Sequence, residues 1–136
     1  MRIHSSRVLF FLTLAGCTFV LLTSSSAQEA TFHNAPASAA AMKNPYAGNA
    51  AATATGKKLY AQNCAMCHGN KLEGMGPAPS LSTPAVRGAK PGEVFWFVTN
   101  GKPDSGMPSW SSLPKNQRWE IVTFVQSHGG KKAAQQ

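Results

Sequence analysis

Cys64-Ala65-Met66-Cys67-His68 sets two thiols three residues apart and an imidazole directly behind the second. Thiols at that spacing near a helix end can each reach one vinyl group of a haem and close a thioether, while the next residue turns its ring under the iron. Attachment and one axial ligand would then come from a single short stretch. Three other uses of these residues compete. A zinc site needs two more ligands at a second short spacing, and no further C-x-x-C or H-x-x-x-H follows. A thioredoxin-like dithiol needs a βαβ setting, which the pattern lacks. A plain disulfide is open to any pair of cysteines in an exported chain.

The elements that must position this motif can be read from periodicity and punctuation. Residues 57–66 are good helix formers with Leu59, Tyr60 and Asn63 on one face, so a helix beginning near Gly56 delivers the cysteines. Behind it, 69–84 carries Gly69, Gly74, Gly76, Pro77, Pro79 and Pro84 with no apolar period, which predicts a long irregular loop. Loops of that length in a small domain usually serve function. Pro91-Gly92-Glu93 opens a short helix over 94–99 that Asn100-Gly101 closes; its run of Val94, Phe95, Trp96, Phe97 and Val98 predicts near-total burial. A strand fits the same residues, but no second run of strand character exists to pair with it. A loop over 102–113 holds Gly106-Met107-Pro108. A last helix over 115–128 places Ile121, Phe124, Val125 and His128 on one face and stops at Gly129-Gly130. The fold class expected is all-α.

The chain of 136 residues has room for one domain. Arg2 and Arg7 precede an apolar run over 8–22, and Ser25, Ser26 and Ala27 suit a signal-peptidase cut after residue 27. Leu14-Ala15-Gly16-Cys17 also resembles a lipobox, which would anchor the protein by a lipid on Cys17. Either way the chain is exported, and the apolar run falls short of the roughly 20 residues that span a bilayer. Residues 28–55, rich in alanine and asparagine, are expected to form a flexible tether, 56–130 the domain, and 131–136 a basic polar tail. Removing Arg2 and Arg7 from 13 basic residues leaves 11 against 5 acidic ones. These charges are scattered, which argues against nucleic-acid binding and for steering towards an acidic partner.

Taken together, these residues resemble class I monohaem cytochromes c, of the small exported bacterial kind. Gly56 and Tyr60 match the first-helix residues that pack on the last helix, Cys64 to His68 the haem motif, Pro79-Ser80-Leu81 the segment beside the haem histidine, Gly106-Met107-Pro108 the distal loop, and Trp119, Ile121 and Phe124 the closing helix. The resemblance covers residues 56–129. It implies three to four short helices wrapped around one haem c, attached through Cys64 and Cys67, with His68 on the iron and the Pro79 carbonyl accepting the free ring N–H of His68. Pro77 is the alternative acceptor, and a proline that merely shapes the loop is a third reading.

For the second axial position, Met42 lies in the expected tether, Met66 sits between the cysteines, and Met75 follows His68 too closely to reach the far face. Met107 remains, and the family places its ligand there. His33 and His128 stay open as alternatives. With both axial positions filled, the implied function is single-electron transfer rather than enzymatic catalysis, between an exported dehydrogenase and a membrane oxidase. A haem-relay subunit of a larger oxidoreductase is an alternative, as is a gas-binding sensor if Met107 does not ligate. The expected location is the periplasm, with membrane association only through Cys17 or an uncleaved signal, and a monomer is expected.

Overall fold

The computed structural model describes residues 35–128. The expected signal segment, Cys17, His33 and the basic tail lie outside them. Among the described residues there are helices α1 (Ala37–Ala40), α2 (Ala50–Asn63), α3 (Ala65–His68), α4 (Pro84–Gly88), α5 (Pro91–Asn100) and α6 (Lys115–Ser127), with one 3-10 turn at Pro103–Ser105 and no strand. The fold is all-α, as the sequence implied, with more helical pieces than the three or four expected.

α6 is the axis of the domain. Trp119 and residues 121–125 are all buried, so the helix has no solvent face through its middle. One side packs on α2, where Ile121, Phe124 and Val125 join Tyr60, Leu72 and Val86 in a core cluster. The other side packs on α5, where Trp119 and Val122 join Val94, Phe95 and Val98 in a second cluster. The sequence pattern showed only the first of these faces. α2 comes so close that a Cβ at Gly56 would run into the Glu120 carbonyl. Beside that contact the Tyr60 and Phe124 rings meet at 5.3 Å, tilted by 52°. A glycine at the crossing is what allows the two backbones to touch.

Two expectations need correction. Residues 36–55 are not a tether. α2 begins at Ala50, six residues before the expected start, because the Asn49 side chain accepts from Ala52 N–H at 3.0 Å and the alanines behind it are the best helix formers. Upstream, α1 lies on α5, with the Ala39 carbonyl against Gly92, where any side chain would collide. Met42 and Tyr46 pack on the second cluster, and Asn44 Nδ2 donates to Thr123 Oγ1 at 2.9 Å. Small side chains conceal this strap from any periodicity measure, since they bury by close approach rather than by bulk. The second correction concerns α5. Trp96 and Phe97 are half-buried, their rings edge-to-face at 5.1 Å, because α6 covers only the face carrying Val94, Phe95 and Val98.

α4 was not anticipated. Thr83 Oγ1 accepts from Val86 N–H at 3.3 Å and Pro84 occupies the first turn. Gln126 of α6 donates to the carbonyls of Val86 and Ala89 at its other end, at 3.4 and 2.9 Å. No helix among the described residues is long and apolar enough to cross a membrane.

Candidate haem site

Cys64 ends α2 and begins α3. Its carbonyl accepts from Cys67 N–H at 3.1 Å and His68 N–H at 2.9 Å, so one turn carries the motif. Both sulfurs are free thiols, Cys64 half-buried against the α2–α6 cluster and Cys67 exposed. Burial pushes the Cys64 thiol up to about 11, with Cys67 beside it adding to the effect, so at neutral pH it is a protonated, uncharged thiol.

His68 is 9% exposed, and its ring is held from the side. Nδ1 lies 2.9 Å from the Pro79 carbonyl oxygen. A carbonyl can only accept, so Nδ1 carries a proton, and in the neutral ring the lone pair is then on Nε2. That tautomer is the one a metal requires, and such a bond raises the donor strength of the ring.

The loop that brings Pro79 there is built, not slack. Leu72 is fully buried and takes a left-handed backbone, φ 66°, in which a branched side chain is unusual. Its carbonyl gathers Leu81 N–H at 2.8 Å, Ser82 N–H at 3.3 Å and Ser80 Oγ–H at 3.0 Å. Gly74 N–H returns to the His68 carbonyl at 2.8 Å. Tyr60, 1% exposed, donates its hydroxyl to the Gly69 carbonyl at 2.7 Å, tying the residue after His68 to α2. Lys71 N–H donates to Glu73 Oε2 at 2.7 Å, and such backbone donors hold the Glu73 carboxyl below its ordinary range.

Cys64, Cys67, His68 and Pro79 therefore come together in one structural unit; Pro77 and Pro79 are both exposed, and it is the Pro79 carbonyl that meets the His68 ring. Met107 is placed by a different one. Its backbone pairs with Lys102 through bonds of 2.9 and 3.1 Å, and its side chain is half-buried. Ser109 Oγ donates to the Thr99 carbonyl at 2.7 Å and Trp110 N–H to the Val98 carbonyl at 3.2 Å, which lays the loop back on α5. Met42 is half-buried under the strap, and Met66 and Met75 are 86% and 56% exposed. His128 ends α6, its ring 5.3 Å from that of Phe124.

The donor set fits a c-type haem: two unpaired thiols at the attachment spacing and an imidazole whose coordinating nitrogen is fixed by its neighbour. It does not fit zinc, since no group of three His, Cys, Asp or Glu that could hold a metal ion exists among the described residues. Sequence reasoning missed Tyr60 as a support of the histidine turn and Leu72 as the hub of the proline loop. A tyrosine four residues before the first cysteine was the available signal for the former. Nothing local announces the latter.

Residues 51–125, more than half of the chain, match the family described as cytochrome c oxidase, cbb3-type, subunit III. A cytochrome c55X of Stutzerimonas stutzeri is 36% identical over 64 residues, 47% of this chain and 56% of the relative. Its counterpart in Pseudomonas aeruginosa is 37% identical over 57 residues, 42% and 47% respectively. A cbb3-type cytochrome c oxidase subunit CcoP of Azospirillum brasilense is 30% identical over 97 residues, 65% of this chain but 32% of the relative. The chain thus spans about half the length of the two cytochromes c55X and about a third of that CcoP subunit.

Proposed function

Since the chain belongs to the c-type cytochrome family described as cytochrome c oxidase, cbb3-type, subunit III, we propose that it is a one-electron carrier with one haem c, bound through Cys64 and Cys67 and ligated by His68 and Met107. Bound there, haem c supplies a reversible one-electron couple at its iron. The chain supplies everything that tunes it. Cys64 and Cys67 fix the group to the α2–α3 turn, and His68 offers Nε2 because its Nδ1 proton is held on the Pro79 carbonyl. Met107 offers a soft thioether, which favours the ferrous state and raises the potential. With His68 and Met107 both holding the iron, no position would be left for a substrate, and one-electron exchange would be the available chemistry.

The observation that carries this reading is the combination of two free thiols, Cys64 and Cys67, in one turn with a His68 ring whose Nδ1 is held on the Pro79 carbonyl. The test is maturation in a host that assembles c-type cytochromes. Wild-type protein should keep its haem through a denaturing gel, and Cys64→Ser with Cys67→Ser should lose it. Colourless wild-type protein with both thiols unmodified would refute the proposal.

The electron partner is proposed to be a membrane oxidase, with an exported dehydrogenase as the donor and the periplasm as the place of exchange. The 97-residue match to a CcoP subunit favours a second reading, in which this domain is a relay within an oxidase complex. Copurification of a stoichiometric membrane partner would select the relay; a carrier recovered alone, with undiminished turnover on addition of oxidase, would select the shuttle.

A further inference from the structure

We propose that Arg118 is the positioning residue of the Met107 loop, pinning its two ends to α6 so that the thioether is held in place; this rests on the reading of Met107 as an iron ligand. The loop leaves α5 after Thr99 and Asn100 and rejoins helix at Lys115. Between those points it is polar and largely exposed. Its backbone pairing with Lys102 closes the tip on itself, and Ser109 and Trp110 hold it to α5. Trp110 and Leu113 rest against the apolar clusters that α6 helps to build, and one half-buried guanidinium of α6 adds directed hydrogen bonds near both ends of the loop.

Arg118 Nε donates to the Leu113 carbonyl at 3.1 Å, at the end of the loop. Nη1 donates to Thr99 Oγ1 at 2.6 Å, at its beginning. The Thr99 hydroxyl has one proton and gives it to the Phe95 carbonyl at 2.8 Å, so its oxygen is free to accept from the arginine. The Thr99 carbonyl is the acceptor for Ser109 Oγ, which carries the tie into the stretch two residues beyond Met107. The guanidinium also lies 5.0 Å from the centre of the Phe95 ring, which stacks on Trp119 at 4.1 Å and 17°. Every donor used is set at an angle fixed by the planar fork. A lysine offers a compact charge without that planar fork, so it does not reproduce both bonds at their angles.

A residue that merely stabilised the domain would lower the melting of everything together. A positioning residue lets the loop open before the rest. The experiment uses the haem-loaded protein and compares loss of the ferric thioether charge-transfer band with loss of helical circular dichroism on heating, together with the rate at which carbon monoxide binds the reduced form. Arg118→Lys and Arg118→Gln should lose the band well before the helices and bind carbon monoxide about tenfold faster than wild type, the scale of one charge-assisted hydrogen bond. Thr99→Val, which removes one of the two anchors and keeps the arginine, should fall between. Gln126→Ala is the control: it removes two side-chain bonds from the same helix, those to Val86 and Ala89, and should lose band and helix together. Arg118 variants with coincident curves and a wild-type carbon monoxide rate, beside a normal wild-type band, would overturn the proposal alone. A wild-type protein without that band, unchanged by Met107→Ala, would overturn the ligand assignment and the proposal with it.

Discussion

Tyr60→Phe isolates one oxygen atom. The ring stays where it is, 1% exposed and 5.3 Å from Phe124, so no cavity opens. What is lost is the 2.7 Å bond to the Gly69 carbonyl, which keeps the longer 3.3 Å bond from Leu72 N–H. Because the acceptor is not stranded, the cost at pH 7 should be about 1 kcal/mol rather than the 2 to 3 of an orphaned buried group. For a domain of this size that lowers Tm by about 4–8 °C. The pH dependence gives a second and sharper reading. Burial, with the negative charge of Glu73 adding to it, lifts the phenol of folded Tyr60 well above its ordinary value. The unfolded chain therefore releases this proton first, near pH 10. Below that pH the contribution is whole; as pH rises from there towards the folded pKa, wild type loses about 1.4 kcal/mol per unit on this account and the phenylalanine variant loses none. The two stabilities should converge near pH 11 (~1 kcal/mol closed within about one unit). Denaturant melts of the haem-loaded proteins between pH 7 and 11 measure this directly. Parallel curves across that range would show that the Tyr60 proton is not confined by the fold, and the reasoning fails.

Three further outcomes are expected. Asn44→Ala should lower stability by about 1 kcal/mol in the same melts, since the bond to Thr123 closes the strap on α6; an unchanged midpoint would restore the tether. Gly56→Val should cost about 3 kcal/mol or more, because a branched side chain meets the Glu120 backbone rather than a yielding side chain, and the yield of haem-loaded protein should fall with it. Electron exchange with an acidic partner should slow as salt rises from 10 to 200 mM, over which range the screening length shrinks from about 30 Å to under 10 Å; rates indifferent to salt would remove charge steering.

What was legible in the sequence is what is local. The attachment motif lies within one turn, and its helix, the loop behind it and the two closing helices each announce themselves by stop signals or spacing. Tyr60 and Gly56 could be placed on α2 because the family marks them. The second buried face of α6 was not legible: the resemblance marks Trp119, but that it forms a face with Val122 shows only when α5 is seen to lie across them. The strap was hidden for a different reason: alanine and glycine bury by letting backbones touch, as at Ala39 and Gly92, and that leaves no apolar period. Arg118 looked like one scattered charge among thirteen. Its partners stand 5 and 19 residues away, so its use exists only in three dimensions.

These differences bear on how the two sides of the site should behave. The His68 side is held by short-range structure: the Cys64 carbonyl, the Tyr60 hydroxyl, the Leu72 hub and the Pro79 carbonyl all lie within residues 60–82, and several of them are buried. The Met107 side is held by a largely exposed loop whose hydrogen bonds run to α5 and to Arg118 of α6, with only Trp110 and Leu113 resting on the core clusters. Local opening draws first on segments with few buried contacts and solvent-exposed hydrogen bonds. The methionine side should therefore release before the histidine side under heat, denaturant or a competing ligand. Sequence changes in 99–118 should then shift potential and ligand exchange while leaving haem attachment intact, whereas changes in 60–82 should lower the yield of attached haem. Separate control of retention and potential follows from placing the two ligands on parts of the chain with unequal local stability.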